Sequence, residues 1–393
     1  MSSSEWKKCR LSQLSERITK GTTPTTLGHP FVPTGINFIK AESILIDGRI
    51  DSSKFVFIDD FTHNKLKRSQ LAEGDILFSM AGMVLGKSAV VRKKHLPANT
   101  NQALALIRLK TDKVNPFFVN YFMRQKEFFN YVNTSTGQSA QPNINLEEIG
   151  NLEIGVPEIR TQNRIVSILS ALDDKIELNR QTNQTLEAIA QAIYKEWFVN
   201  FNFPEATGEM QDSELGPIPK GWRVGEYTNE LNIVYGKNLP TVNLLPSGNP
   251  VFGGNGLIGF YDKYLYEDPQ VIVACRGAAS GKVNQSLPNS FVTNNSLVFE
   301  IPQKSKLKFT YLKQYCLNTD FTSFVSGSAQ PQLTIESFKN AFLLIPKDQI
   351  LRNFDMLILP VEEAIRENDI QSNCLIKIRD SLLPKLMSGE IEV

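Results

Sequence analysis

The sequence predicts an α+β protein with two α/β domains in a pseudo-two-fold arrangement, separated by two long helices that form an antiparallel coiled coil. The first observation behind this prediction is an internal repeat: residues 139–198 match residues 328–387 after a constant shift of 189 positions, without a gap. The second is that each copy ends in a long helical segment with a narrow apolar seam. A register held over such a length indicates an internal duplication.

The matched positions of the repeat include a polar turn, a strand-like run and the helix. The turn Ser139-Ala140-Gln141-Pro142 matches Ser328-Ala329-Gln330-Pro331. Single matched positions are Pro157 with Pro346, Ile176 with Ile365, Asn179 with Asn368, and Leu186 with Leu375. The order of glycine turns and strand-like runs in residues 1–135 also recurs after residue 220, although most side chains differ. The two domains therefore share a framework and differ at the surface.

The seam of each helix advances in alternating steps of three and four residues, which is the heptad spacing of a coiled coil. In the first helix the seam consists of Leu169, Leu172, Ile176, Asn179, Asn183, Leu186, Ala190, Ile193 and Trp197. In the second helix it consists of Ile358, Val361, Ile365, Asn368, Ser372, Leu375, Arg379, Leu382 and Leu386. The alternative, two unrelated amphipathic surface helices, does not account for a repeated seam.

Antiparallel pairing aligns the two seams layer by layer. It brings polar residues together, since a buried amide needs a polar partner. The predicted layers are Asn179 with Ser372, Asn183 with Asn368, Leu186 with Ile365, Ile176 with Leu375, Ile193 with Ile358, Trp197 with Phe354 and one mismatch, Leu172 with Arg379. A parallel pair would match the polar layers too, but only antiparallel pairing carries the two domains to opposite ends. Pro360, inside the second helix, predicts a kink or a restart there.

Length and composition limit the possible functions. A chain of 393 residues can hold about two to three domains, and its contents of 41% hydrophobic and 21% charged residues are those of a soluble globular protein. With a net charge of +1, contact with nucleic acid has to depend on local basic patches. We find no apolar run of membrane-spanning length and no signal peptide. Four scattered cysteines without a CxxC pair indicate a reducing cytoplasm and no zinc site.

Along the chain, the predicted domain bounds are 1–157 for the first α/β domain, 158–200 for the first helix, 201–346 for a linker and the second α/β domain, and 347–393 for the second helix. Strand signals in the first domain occur at residues 38–39, 55–58, 75–79 and 103–109. Asn115-Pro116 begins an aromatic-rich helix predicted to run through Tyr131. Proline, glycine and acidic residues in 198–219 are typical of a linker.

We find no catalytic constellation in the sequence. The segment from Gly82 to Ser88 resembles a phosphate-binding loop but has one spacer residue too few, so a turn between strands is the better interpretation. Asn115-Pro116-Phe117-Phe118 resembles the Asn-Pro-Pro-Tyr motif of amino-methyltransferases but lacks the second proline, which favours a helix start. The three histidines, which have no metal-ligand spacing and are expected at the surface, are His29, His63 and His95.

What remains is a set of loops suited to DNA contact in both domains. Each domain has a hydroxyl- or amide-rich turn with a lysine, a second glycine turn with a basic residue, and a cluster of amides. Amides and arginine pair with base edges, whereas lysines and hydroxyls suit phosphates. The candidate residues are Lys20, Thr22, Thr23, Ser79, Lys87, Asn99, Asn101, Gln102, Lys237, Asn238, Arg276, Ser280, Lys282, Asn294 and Asn295. Basic stretches at 65–68, 92–94 and 304–308 would steer the phosphate backbone; for any single group the alternative is a solvated loop.

Five runs in the helices and linkers form a distinctive set. They are residues 137–144, 168–179, 195–199, 213–222 and 382–391. In these runs the chain resembles the specificity (S) subunits of type I restriction-modification systems. The resemblance extends over the whole architecture and is weak inside the α/β domains.

The resemblance implies two target recognition domains, each reading one part of a split sequence in double-stranded DNA. It implies helices that act as a spacer and dock two methyltransferase (M) subunits, with restriction/translocase (R) subunits completing the complex. It also implies a chain that is not an enzyme by itself and binds no cofactor, because S-adenosylmethionine, ATP and Mg belong to the partners. A helix of about forty residues is about 60 Å long, more than the roughly 34–36 Å of one DNA turn. Two unlike domains at its ends would read separated, different half-sites.

The favoured hypothesis is therefore a non-catalytic, cytoplasmic DNA reader and scaffold. A coiled-coil adaptor or scaffold without DNA-reading function is the alternative, and an enzyme is a more distant one. Recurrence of the contact loops in both domains favours the reader.

Overall fold

The computed structural model describes residues 6–82, 84–135, 143–327 and 331–393. The repeated turn at residues 139–142 and 328–330 lies outside the described residues, so its match remains a sequence observation. Tertiary contacts divide the chain into a first unit, Met1–Leu178 with Gln371–Val393, and a second unit, Asn179–Ile370. Within the ranges described, no helix has the length and apolar character needed to cross a membrane.

Helices and strands are mixed in both units. The helices are α1 (Leu11–Leu14), α2 (Asp60–Lys65), α3 (Pro116–Met123), α4 (Lys126–Ser135), α5 (Leu146–Asn151), α6 (Ile159–Phe198), α7 (Tyr227–Glu230), α8 (Phe309–Leu317) and α9 (Asp348–Met387). The strands of the first unit are β1 (Lys7–Arg10), β2 (Ser15–Lys20), β3 (Ile36–Ile39), β4 (Val56–Ile58), β5 (Ile76–Ser79), β6 (Ser88–Val90), β7 (Ala98–Thr100), β8 (Leu104–Leu109) and β9 (Glu153–Val156). The strands of the second unit are β10 (Met210–Gln211), β11 (Ile218–Pro219), β12 (Arg223–Glu226), β13 (Asn232–Tyr235), β14 (Asn249–Gly253), β15 (Gly256–Tyr261), β16 (Val271–Ala274), β17 (Val283–Gln285), β18 (Phe291–Val292), β19 (Ser296–Glu300) and β20 (Phe342–Ile345).

The first unit is built on a four-stranded sheet in the order β2-β8-β5-β6 and a three-stranded sheet in the order β4-β3-β7. The central strands β5 and β8 are buried along almost their whole length, as expected for strands covered on both faces. In the smaller sheet β3 pairs antiparallel with β4 and parallel with β7. β1 pairs antiparallel with β9. The strands predicted in this domain are confirmed to within two residues.

The second unit repeats this topology strand for strand. Its larger sheet has the order β13-β19-β16-β17, its smaller sheet has the order β15-β14-β18, and β12 pairs with β20. As in the first unit, the middle strand of the smaller sheet, β14, has one antiparallel and one parallel neighbour. The linker contributes the small hairpin of β10 and β11. The predicted shared framework and the mixed α/β class are therefore confirmed.

The two long helices, α6 and α9, are each 40 residues in length and supply part of the core of each unit. In the first unit Leu169 and Leu386 are buried against the domain. In the second unit Ala190 and Ile358 take the same role. These are seam residues of the predicted heptads, so the seam is the face that packs.

In the second unit two predicted layers of the seam are confirmed, Asn183 with Asn368 and Trp197 with Phe354. Asn368 Nδ2 donates a hydrogen bond to Asn183 Oδ1 over 2.8 Å, and the rings of Trp197 and Phe354 lie 5.8 Å apart. Numbers rise along α6 as they fall along α9, which confirms the antiparallel direction there. Asn179 Nδ2 also donates to the Asn368 carbonyl over 3.3 Å. The predicted layer of Asn179 with Ser372 joins residues of different units and stays a prediction.

In the first unit Arg379, the polar member of the predicted layer with Leu172, forms an ion pair. Arg379 Nη1 donates to Asp173 Oδ1 over 2.7 Å, and the Arg379 side chain is only 11% exposed. A guanidinium taken that far out of water requires a carboxylate. The heptad pattern identified the position of Arg379 but not its partner, which lies one residue beyond the seam.

The restart predicted at Pro360 is wrong, because α9 continues through it. Proline removes the backbone donor that would bond the carbonyl of Met356. Met356 is 68% exposed, so that carbonyl lies on the side of the helix where water can satisfy it.

The aromatic-rich segment forms two helices, α3 and α4, rather than the single predicted one. Its start is as expected: Asn115 caps α3 by accepting a hydrogen bond from the Phe117 N–H over 2.9 Å, with Pro116 in the first turn. The end comes early because the Arg124 N–H bonds both Asn120 and Tyr121 carbonyls and tightens the last turn.

The expectation of a surface position is wrong for His95, which is buried. Its Nδ1 accepts a hydrogen bond from the Arg92 N–H over 3.1 Å. Burial, followed by the nearby charges of Lys94 and Arg92, lowers the pKa of His95 to about 4. His95 is therefore a neutral core residue.

Candidate nucleic-acid interface

Three loops of each unit meet at one edge of the larger sheet. In the first unit they are loop 1 (residues 20–23), loop 2 (79–87) and loop 3 (99–103); in the second unit they are loop 1 (236–238), loop 2 (275–282) and loop 3 (293–295). Loops 1 and 2 lie at the ends of the two strands that flank β8 or β19, and loop 3 lies at the start of that central strand. Because the neighbours are antiparallel, these ends share one edge of the sheet.

Loops 1 and 3 of the first unit touch through their backbones. The Gly21 N–H donates to the Asn101 carbonyl over 3.2 Å. A Cβ at Gly21 would lie 1.8 Å from the Thr100 carbonyl oxygen, so only glycine allows this approach. The hydroxyl-rich turn and the amide cluster, far apart in sequence, therefore form one surface.

Side chains reinforce that surface. Gln102 Oε1 accepts hydrogen bonds from the Thr23 N–H over 3.1 Å and from Thr23 Oγ1 over 2.5 Å. Arg68 Nη2 donates to Thr22 Oγ1 over 3.3 Å, which adds the basic stretch at residues 65–68 to the group. Arg68 is exposed and was absent from the candidate residues, since a run of basic residues does not show which turn it will approach.

In the second unit loops 1 and 3 also touch through their backbones, with different side chains. The Lys237 N–H donates to the Val292 carbonyl over 2.9 Å, and the Asn294 N–H donates to the Lys237 carbonyl over 3.0 Å. A Cβ at Gly236 would lie 2.3 Å from the Thr293 carbonyl oxygen, so glycine is required at the same place. The framework of the surface is thus common to both units.

Loop 2 joins in the same way in both units. The Met80 N–H donates to the Ala103 carbonyl over 2.9 Å, and the Cys275 N–H donates to the Asn295 carbonyl over 2.9 Å. Each loop connects antiparallel neighbours, β5 with β6 and β16 with β17, so the interpretation of residues 82–88 as a turn between strands is confirmed. In the second unit this places Arg276 beside loop 3.

The candidate residues differ in exposure. The exposed ones are Lys20, Gln102, Lys237, Asn238, Arg276, Lys282 and Asn295. The half-buried ones are Thr22, Thr23, Lys87, Asn101 and Asn294. The buried ones are Ser79, Asn99 and Ser280. The buried side chains do not present their polar atoms to a ligand.

The buried candidates hold loops in place, and this corrects their assignment to the contact surface. Asn99 Nδ2 donates to the Leu66 carbonyl over 3.0 Å and to Ser69 Oγ over 3.1 Å, while its Oδ1 contacts the His63 ring. Ser280 Oγ donates to the Pro331 carbonyl over 3.0 Å.

Two further candidates in loop 2 of the first unit also donate hydrogen bonds to backbone carbonyls of their own domain. Ser79 Oγ donates to the Val84 carbonyl over 3.4 Å. Lys87 Nζ donates to the Ala41 carbonyl over 3.2 Å, and burial, followed by the Lys54 charge, lowers the pKa of Lys87. Residue type alone could not separate these structural side chains from exposed ones.

Sequence reasoning missed an ion pair that fastens each domain to a long helix. In the first unit Arg124 Nη1 lies 3.0 Å from Asp173 Oδ2, and in the second unit Lys313 pairs with Glu362. Arg124 and Lys313 are separated by the same constant shift as Asp173 and Glu362. Applying that shift to charged residues as well as to the seam would have found both pairs.

The first-unit pair belongs to a network around Asp173. Tyr121 OH donates to Asp173 Oδ2 over 2.8 Å, and Arg379 contacts the other oxygen. Burial by itself would raise the pKa of the Asp173 carboxyl, but the Arg124 charge and the hydrogen bonds from Arg379, Arg124 and Tyr121 outweigh it and lower the pKa. Asp173 is therefore a charged anchor for the domain.

Comparison with known proteins agrees with this architecture. A family model described as the type I restriction modification DNA specificity domain matches residues 3–188 and 219–359, which are most of the chain. The chain belongs to this family. The match comes in two parts, one for each α/β domain with part of its long helix, as the duplication requires. The resemblance seen in the sequence is confirmed.

Two specificity subunits are similar to this chain over most of its length. The type I restriction enzyme MjaIX specificity subunit of Methanocaldococcus jannaschii is 26% identical, over 99% of this chain and 94% of its own length. The HindI specificity subunit of Haemophilus influenzae is 23% identical, over 82% of this chain and 88% of its own. The crystal structure of a type I restriction-modification S subunit from M. genitalium aligns with a TM-score of 0.62 at 16% identity, over 97% of this chain and 96% of that one. That last likeness concerns the fold.

Proposed function

We propose that this chain is the specificity subunit of a type I restriction-modification complex and reads a bipartite, asymmetric site in double-stranded DNA. Each α/β domain, predicted at residues 1–157 and 201–346, reads one half-site with its three loops. The long helices dock two methyltransferase (M) subunits, and restriction/translocase (R) subunits complete the assembly in the cytoplasm. The chain supplies no catalysis, and S-adenosylmethionine, ATP and Mg act on the partners.

The observation that carries this proposal is one loop framework bearing two different sets of exposed side chains. In both units backbone hydrogen bonds join the three loops, whereas the exposed side chains include Lys20 and Gln102 in one unit and Lys237 and Asn238 in the other. A framework that is kept while its exposed side chains change suits two readers of different sequences. The adaptor alternative explains the helices but gives the loops no role.

Docking of methyltransferase subunits is proposed for the helices because apolar side chains remain exposed on both. Leu178 and Ile189 of α6 are 55% and 44% exposed, and Met356 and Ile370 of α9 are 68% and 63% exposed. The seams of α6 and α9 face each other, so these side chains lie on the remaining faces of the helices. Exposed large apolar side chains in such numbers are typical of surfaces that bind further protein. Each unit carries some of them.

Exchange of one domain tests the reader proposal. The full chain is assembled with its methyltransferase subunits, and residues 1–135 are replaced by the corresponding domain of another family member. Sequencing of methylated positions should show one half-site changed and the other kept. A change in both half-sites, or in neither, would contradict the assignment of one domain to each half.

Arg276 tests the second domain. It is exposed beside loop 3, and arginine pairs bidentately with guanine in the major groove. Arg276→Ala should weaken or relax recognition of the second half-site by roughly 1–3 kcal/mol. Lys339→Ala, an exposed lysine of the same unit that pairs with Glu336, is the matched control and should leave affinity within about 0.5 kcal/mol. Unchanged selectivity in the Arg276 variant would remove that residue from the interface.

A further inference from the structure

The amide of Gln102 is held in one orientation by loop 1. Its Oε1 faces the backbone N–H of Thr23 at 3.1 Å, and a backbone N–H can only donate. The atom facing Thr23 is therefore the oxygen, and the alternative orientation of the amide is excluded. Thr23 Oγ1, at 2.5 Å, donates to the same oxygen and occupies its second lone pair.

This leaves the Gln102 Nε2 group as the part of the amide available to a ligand. Gln102 is exposed, and within the ranges described Nε2 has no hydrogen-bond partner. The neighbouring amide behaves alike, since Asn101 Oδ1 accepts from the Ala103 N–H over 3.2 Å. Lys20 and Arg68 add further donors at the same surface. Loops 1 and 3 of the first unit thus present hydrogen-bond donors.

Donors alone discriminate between bases in a defined way. Guanine presents two acceptors in the major groove, O6 and N7, and thymine presents its keto oxygen O4. Cytosine presents an amino group, which donates, and adenine presents an amino group beside its single acceptor, N7. The two-point contact of a glutamine amide with adenine needs its oxygen as well as its nitrogen. In Gln102 that oxygen is occupied, so an adenine could accept one hydrogen bond at N7 while its amino group, a donor, would lie unpaired against the Gln102 donor. A keto oxygen at that place removes this conflict.

The second unit offers a contrast. Asn295 lies in loop 3 of the second unit, is exposed, and its side-chain amide makes no hydrogen bond to the described part of the chain. It keeps both its donor and its acceptor for a ligand, as a two-point contact with adenine requires.

We infer that Gln102, locked by Thr23, selects a keto base, guanine or thymine, at one position of the first half-site. This rests on the proposed DNA-reading function and adds the kind of base that one residue reads. Thr23 is a positioning residue, because it acts on the base through Gln102. Choice between guanine and thymine follows from the neighbouring contacts of the base.

Gln102→Glu is the sharpest test, since it keeps an oxygen for both Thr23 bonds and replaces the outward NH₂ group by a second oxygen. The full chain with its methyltransferase subunits selects bound duplexes from a random library, which are then sequenced. We expect one position of the first half-site to change from a keto base to an amino base by roughly 10-fold in relative affinity. The library separates guanine from thymine in the unaltered protein.

Asn295→Asp is the matched control for the added negative charge, and it should alter only the second half-site. Thr23→Val removes the hydroxyl bond but keeps the backbone bond, so the same position should become less selective while the domain stays folded. Unchanged base preference in Gln102→Glu, or an equal loss of affinity for every sequence, would overturn the inference and leave the reader proposal standing. A complex without any split-site preference before substitution would overturn both.

Discussion

The network around Asp173 should be the polar interaction on which the first unit depends most. We consider Asp173→Asn, which keeps the shape and one acceptor oxygen but removes the charge. Arg124 and Arg379 would then share a neutral amide at a place where their side chains are 8% and 11% exposed. Arg379 keeps an exposed partner in Asp380, whereas no other carboxylate is placed against Arg124 among the residues described.

The expected cost follows from burial. Removing one partner of a buried ion pair costs about 3–5 kcal/mol, whereas exposed pairs contribute about 0–1 kcal/mol. The Asp173 side chain is 20% exposed, so solvent screens part of the charge. We expect the free energy of unfolding of the first unit to fall by about 2–3 kcal/mol.

The adjacent residue supplies the control. Asp174 pairs with Arg92 at 3.0 Å, but the two side chains are 57% and 43% exposed. Asp174→Asn should therefore cost less than about 1 kcal/mol. Urea unfolding, followed by hydrogen exchange of α3 amides with second-unit amides as internal reference, measures both. Equal costs for the two variants would refute the argument that burial decides the strength of these pairs.

Three other predictions concern stability. Asn368→Leu should cost about 1–3 kcal/mol because it leaves the buried Asn183 oxygen without its donor. Adding Asn183→Leu should recover only part of that in urea unfolding, because it removes the unpaired oxygen but also the donor to Asp369 Oδ1; a double variant less stable than the single one would contradict this. Gly21→Ala should lower the melting temperature of the first unit far more than Gly28→Ala, where a positive φ costs about 1 kcal/mol but a Cβ meets nothing; similar shifts would argue against the close approach of the loops. The pKa of His95 is about 4 in the folded chain against roughly 6.5 unfolded, so its contribution to the free energy of unfolding is complete above pH 6.5 and is lost as the pH falls towards 4. Going from pH 7 to 5 should lower the free energy of unfolding by at most about 2 kcal/mol. His95→Asn, which keeps an acceptor, should remove that pH dependence. An unaltered pH dependence in that variant would assign it to other groups.

The architecture could be predicted because the same helical seam occurs twice in the sequence. The heptad seam predicted the direction of pairing and the meeting of Asn183 with Asn368, since both depend on periodicity and on matching polar with polar. Backbone geometry was harder: the early end of α3 depends on how the Arg124 N–H is shared between two carbonyls, which no pattern of residues shows.

The candidate site was predicted less well because the sequence does not show which polar side chains are buried. Asn99 and Gln102 belong to one loop and have the same chemistry, yet one is enclosed by Leu66 and Ser69 while the other is exposed. Which of two amides faces water depends on the segments folded over it, and the segment that follows α2 lies far from loop 3 in the chain. The same limit applies to His95, whose ring packs against Phe55, a residue far from it in the chain.

Each domain begins and ends in two strands that lie side by side. Lys7 faces Val156 across β1 and β9, and Arg223 faces Ile345 across β12 and β20, so the points at which the backbone enters and leaves are about 5 Å apart. A whole domain can consequently be replaced by another without changing the distance between the two chain segments to which its ends are joined. Recombination between genes of this kind would then exchange the DNA sequence specificity of one domain in a single step and leave the long helices unchanged.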